Sequence, residues 1–113
     1  MDKIDEINLQ INRLSEASEE VERTQRQLKR TEEALGMHVH RRACFFDTLQ
    51  DYWRTGDMAR RVADRKWQLQ REEHQTFDTL AEKQAAVRRQ IQAFETEEED
   101  LYRARKQAWE EIE

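Results

Sequence analysis

The sequence predicts an all-α protein, an antiparallel two-helix hairpin of coiled-coil type with its turn near residues 54–57. Three observations predict it. First, among 113 residues there is no proline and only two glycines, so the chain has few places to reverse and a multi-stranded sheet is excluded. Second, Leu, Ile, Val and Phe together number 21, while charged residues make up 40% and the net charge is −5. That composition lies close to disorder and cannot build a thick globular core. Third, the few apolar residues are laid out in heptads, a register that a disordered chain has no reason to keep.

The first helix is expected over about residues 3–53. Ile7, Leu14, Val21, Leu28, Leu35 and Leu49 form one seven-residue series, interrupted by Arg42. The companion series is Ile4, Ile11, Ser18, Gln25, Glu32, Val39, Phe46 and Trp53. Gly36 falls inside this helix. A side chain missing there is read as room for a large ring, Phe77, on the opposite helix.

The turn is expected at Trp53-Arg54-Thr55-Gly56-Asp57. Gly56 can adopt the left-handed conformation that ends a helix, and Asp57 can cap the next one. The second helix is expected over about 58–111. Its phase slips between 58 and 73, where Met58, Val62 and Leu69 carry the stripe with Trp67 beside it, a stutter in coiled-coil terms. Beyond it Leu80, Val87, Phe94, Leu101 and Ala108 form one series, and Phe77, Gln84, Ile91, Glu98, Arg105 and Ile112 the other. Each helix would be about 75 Å long at 1.5 Å per residue. A turn at the midpoint pairs residues whose numbers add to about 113. Leu35 then meets Phe77 and Leu80, Leu28 meets Val87, and Val21 meets Ile91 and Phe94. Leu14 and Ile11 meet Leu101, while Ile4 and Ile7 meet Ala108 and Ile112. Apolar groups face apolar groups at every level.

That seam is too thin for one chain. Ser18, Gln25, Glu32, Gln84, Glu98 and Arg105 occupy core-type positions, where polar residues cost stability but set register and partner number. A lone hairpin would leave Leu9, Met37, Phe45, Tyr52, Trp67, Tyr102 and Trp109 half exposed. Five of the nine aromatics, Phe45, Phe46, Tyr52, Trp53 and Trp67, fall within 23 residues near the turn. Aromatic residues of this kind anchor interfaces. Phe45, Phe46, Tyr52, Trp53, Trp67 and Trp109 are therefore the candidate partner-binding residues, the partner being another helical protein or a second copy of the chain. Charge is uneven as well: −3 over residues 1–37, +3 over 38–72 and −5 over 73–113. A hairpin so charged has a basic, aromatic turn and an acidic open end, a polarity that orients a partner.

Catalytic constellations are missing. There is no Gly-rich phosphate loop, no G-x-S-x-G and no H-E-x-x-H. His38 and His40 point about 200° apart on a helix and cannot share a metal. No enzyme activity, metal or cofactor is expected. The arginines near the turn could meet phosphates, but Asp47, Asp51, Asp57 and Asp64 interleave them and the isoelectric point is about 5.3, so nucleic acid is not the expected partner. No stretch approaches the ~20 apolar residues of a membrane span. The start, Met1-Asp2-Lys3-Ile4-Asp5-Glu6, lacks a secretory pattern, and the single Cys44 fits a reducing cytoplasm.

Taken with the hairpin, the stretch Leu49-Gln50-Asp51-Tyr52-Trp53-Arg54-Thr55-Gly56-Asp57 and the late Leu101-Tyr102 resemble the small helical-hairpin proteins of Gram-positive type VII secretion. These form the WXG (ESAT-like) superfamily, and the nearer likeness is to the accessory proteins encoded beside LXG-type toxins. The likeness spans nearly the whole chain. It implies a targeting factor or chaperone that binds the helical N-terminal domain of a cognate toxin, with or without a second small accessory protein, and presents it for export. It also implies a cytoplasmic location, the protein either staying there or leaving with its toxin. Two departures stand out. The superfamily's W-x-G is W-x-x-G here, and the Y-x-x-x-D/E export signal is absent, since Lys106 follows Tyr102 by four. Trp53, Gly56 and Asp57 are the candidate turn and export motif, and Phe94 to Glu98 repeats the spacing. The alternative is a self-associating coiled-coil scaffold, or an escort or ATPase-stalk protein of another secretion system.

Overall fold

The computed structural model describes residues 2–112 and contains two helices, α1 (Lys3–Tyr52) and α2 (Gly56–Ile112). Asp2 starts α1 by accepting the Ile4 N–H on its carboxylate at 3.2 Å, which satisfies one of the orphan donors of a helix N-terminus. At the other end the Trp53 N–H donates to the Leu49 carbonyl at 2.9 Å, and Arg54 Nε donates to the Asp51 carbonyl at 3.2 Å, so the last carbonyls of α1 are not left bare.

Gly56 has φ of +87°, the left-handed backbone expected at the turn. The second helix opens on this residue, two positions ahead of expectation. Asp57 is consequently not the residue before the helix but part of its first turn, where a carboxylate faces the positive end of the helix dipole.

The helices pack as an antiparallel hairpin forming two compact units. One joins α1 up to Gln27 with α2 from Gln84 onward; the other runs from Leu28 to Lys83 and includes the turn. In the first unit Ile4, Ile7 and Ala108 form a buried cluster, with Ile11 and Ala104 packed on it. Arg105 donates to Asn8 at 3.1 Å and Lys3 pairs with Glu111 at 3.7 Å. In the second unit Phe46, Val62 and Leu80 are buried. Arg42 pairs with Glu73 at 2.9 Å, while Lys66 reaches Asp47 at 3.8 Å and Gln50 at 3.1 Å. All these partners obey the expected register within a few residues.

Every residue of the proposed seam is buried or half-buried: Ile7, Leu14, Val21, Leu28, Leu35, Leu49, Phe77, Leu80, Val87, Ile91, Phe94 and Leu101. Gln25 and Glu32, at core-type positions of the companion series, are exposed. Three further positions differ. Ile112 is exposed. Met58 is also exposed and the half-buried Ala59 takes its place; from there Val62, Lys66, Leu69, Glu73 and Phe77 continue the stripe. The two successive steps of four at Leu69, Glu73 and Phe77 are the stutter.

Gly36 is the third. A Cβ built on it meets nothing within 4 Å, so it does not make room for Phe77, and α1 runs through it unbroken. The two glycines should therefore respond oppositely to alanine. Gly36→Ala is expected to stabilise the protein by about 0.5–1 kcal/mol, by lowering the entropy of the unfolded chain. Gly56→Ala should destabilise it by about 1–2 kcal/mol, since a Cβ opposes positive φ. Urea unfolding followed by circular dichroism measures both, and a loss at Gly36 would contradict the open helix surface there.

Candidate functional site: exposed aromatic surfaces

The turn-proximal unit carries the first surface. Met37, Phe45 and Tyr52 recur at spacings of eight and seven, which keeps them within about 80° on α1. They form an apolar stripe separate from the one the core uses. Phe45 is 59% exposed and Tyr52 78% exposed. Thr48, between them, donates its hydroxyl to the Cys44 carbonyl at 3.1 Å, which spends its polar group on the helix itself. On α2, Trp67 is exposed with the Arg71 guanidinium 5.5 Å from its ring centre. Phe45, Tyr52 and Trp67 thus stand on the surface, where a partner could meet them.

Phe46 is different. It is only 6% exposed and lines a small cavity with Val39, Arg42, Lys66, Leu69 and Glu73. Contrary to its expected place among exposed partner-binding rings, Phe46 is taken by the hairpin's own core. The companion heptad series that contains it already points inward; the aromatic cluster obscured that. Its contact with Phe45 is edge-on, 5.9 Å between ring centres.

At the turn, Trp53 is half-buried and Tyr52 packs edge-on against it, 4.7 Å between ring centres. Asp57 is exposed. Residues four apart stack on one face only along a continuous helix. Here the chain leaves the helix after Tyr52 and resumes it at Gly56, so Trp53 and Asp57 do not form a helical face. Phe94 and Glu98 do share one, and both are half-buried in the seam.

The first unit carries the second surface. Tyr102 and Trp109, seven apart on α2, are both exposed. With Asn8, Arg105, Lys106 and Glu110 they line an open cleft of about 510 Å³. Arg105 lies between them in sequence, 4.9 Å from the Tyr102 ring centre, and it also donates to Asn8 of α1. Trp109 is an expected partner-binding residue. Arg105 is not, although the pattern Tyr-x-x-Arg-x-x-x-Trp at a core-type heptad position is a readable signal.

His38, His40, His74 and Cys44 are exposed. Arg42 donates to His38 Nε2 at 2.7 Å, and Cys44 Sγ lies 3.8 Å from His40 Nε2. Among the described residues no three His, Cys, Asp or Glu side chains gather to hold a metal, and no helix is long and apolar enough to cross a membrane. No curated protein and no solved structure gives a significant match. The model of one family, described as a protein of unknown function (DUF3958), matches residues 2–108, and the chain therefore belongs to that family.

Proposed function

We propose that this protein is a non-enzymatic targeting factor or chaperone that binds the helical N-terminal domain of an LXG-type toxin in the cytoplasm and assists its export by type VII secretion. The observation that carries the proposal is an interface half made. Among the described residues eight apolar side chains are buried and none is buried completely, while Phe45, Tyr52, Trp67, Tyr102 and Trp109 stand on the surface. Two helices of such composition gain most by adding a third and fourth helix, which turns exposed rings into core. The likeness of the Trp-x-x-Gly turn segment to the accessory proteins of LXG toxins names the kind of helix supplied.

Co-expression with the N-terminal domain of an LXG toxin encoded beside the gene tests this. A stable complex on size exclusion is the expected result. Phe45→Ala combined with Trp67→Ala should weaken it roughly tenfold or more, since each ring can be worth about 1–2 kcal/mol at an interface. The same changes should leave the melting temperature of the free protein nearly unmoved. Separate elution of the two proteins, with the chain alone forming a tight homodimer by light scattering, would replace the proposal with the self-associating scaffold.

A further inference from the structure

We infer that the cleft of Tyr102, Arg105 and Trp109 binds a side-chain carboxylate presented by an apolar, otherwise basic helix of the partner. This deepens the reading of the chain as a helix-binding module and rests on it.

Arg105 occupies a core-type position of α2 and is half-buried, so part of its hydration is already lost. One N–H is held by Asn8 of the other helix at 3.1 Å, and the Tyr102 ring lies 4.9 Å away, so the guanidinium is positioned before any partner arrives. Glu110 lines the same cleft but does not pair with Arg105, and among the described residues no carboxylate lies within ion-pair distance of it. Asn8 uses one of five donors, and the planar fork that remains matches the two oxygens of a carboxylate. Tyr102 stands three residues before Arg105 and Trp109 four after, both on the same face. The incoming acid is thereby flanked by two rings that seat apolar side chains and displace water, which strengthens the ion pair.

Long-range charge sets the rest of the partner's character. The portions of chain that make this unit, residues 1–27 and 84–113, hold 15 acidic and 9 basic side chains, a net of −6. Such a field repels nucleic acid and acidic proteins and draws in a basic helix. One acid among apolar neighbours on a basic helix satisfies both the field and the local cation.

The test uses the full-length protein and two synthetic amphipathic helices of lysine and leucine, one bearing a single central Glu and the other Gln there. Titration calorimetry should show the Glu peptide binding roughly tenfold more tightly, and NMR should show the largest shifts at the Arg105 Nε–H and Trp109 indole resonances. Arg105→Gln keeps a group able to donate to Asn8 and should reduce the preference to below about twofold, with Arg105→Lys in between. Trp109→Ala, at an exposed site, should weaken both peptides without altering the preference. Equal affinity of the two peptides, no binding of either, or a preference that survives Arg105→Gln would overturn the inference. An Arg105-dependent dimer of the chain alone would overturn it too, by giving the cleft to a second copy. A parallel titration with the toxin domain separates the two claims. Toxin binding that Arg105→Gln leaves intact, with no peptide preference, removes the cleft and keeps the proposed function. A Glu preference without toxin binding keeps the cleft and removes the toxin.

Discussion

Phe46→Ala is expected to cost about 3–5 kcal/mol and to melt the turn-proximal unit selectively. Of the eight apolar side chains buried among the described residues only Phe46, Val62 and Leu80 belong to that unit, so one ring is a large share of its core. The ring also borders an existing void of about 60 Å³, and its removal enlarges that space. Hydrogen exchange is the decisive measurement. Amides of residues 28–83 should lose protection while those near Ile4, Ile7 and Ala108 keep more of theirs. Phe45→Ala, its exposed neighbour, should change stability by no more than about 0.5 kcal/mol. Equal effects of the two substitutions would mean that Phe46 is not the core residue of the pair.

Arg42→Leu is expected to destabilise the hairpin by about 2–3 kcal/mol, and the double change Arg42→Leu with Glu73→Leu to restore or exceed the original stability. Arg42 interrupts a leucine series in α1, and Glu73 lies on the stripe of α2 where the phase slips. They pair at 2.9 Å, the Glu73 side chain being only 13% exposed. Removing the guanidinium strands a carboxylate in a poorly solvated seam. Replacing both removes that cost and adds apolar contact. The charged pair then contributes specificity: leucines on both helices should permit slipped pairing and oligomers, visible as a rise in mass by light scattering. A single-substitution cost below about 0.5 kcal/mol would place the pair among ordinary surface ion pairs.

Much of this fold was legible because its signals are local. The heptads of α1 hold from Ile4 to Trp53 without a slip, and nearly every series position faces inward, Gln25 and Glu32 excepted. The seam and the register followed from them, as did positive φ at Gly56, the residue type that tolerates it best. Harder to read were positions where two residues compete for one role. Met58 and Ala59 both fit a stutter by sequence, and packing chose the smaller side chain. Phe45 and Phe46 look alike in composition, yet a rotation of 100° puts one in solvent and the other in the core. Gly36 seemed to answer a bulky ring across the seam, but its missing side chain points into open space.

By itself, then, the sequence determined two long helices, their turn and their antiparallel register, since each depends on periodicity or on one residue's backbone preference. Only the tertiary structure decided which aromatic side chains stay on the surface. It buried Phe46, left Phe45, Tyr52, Trp67 and Trp109 outside, and set Arg105 against the Tyr102 ring with Asn8 holding it from the other helix. Those outcomes depend on the angle at which one helix faces the other, to within part of a turn. A heptad count fixes that angle only on average, and the stutter at Glu73 shifts it locally.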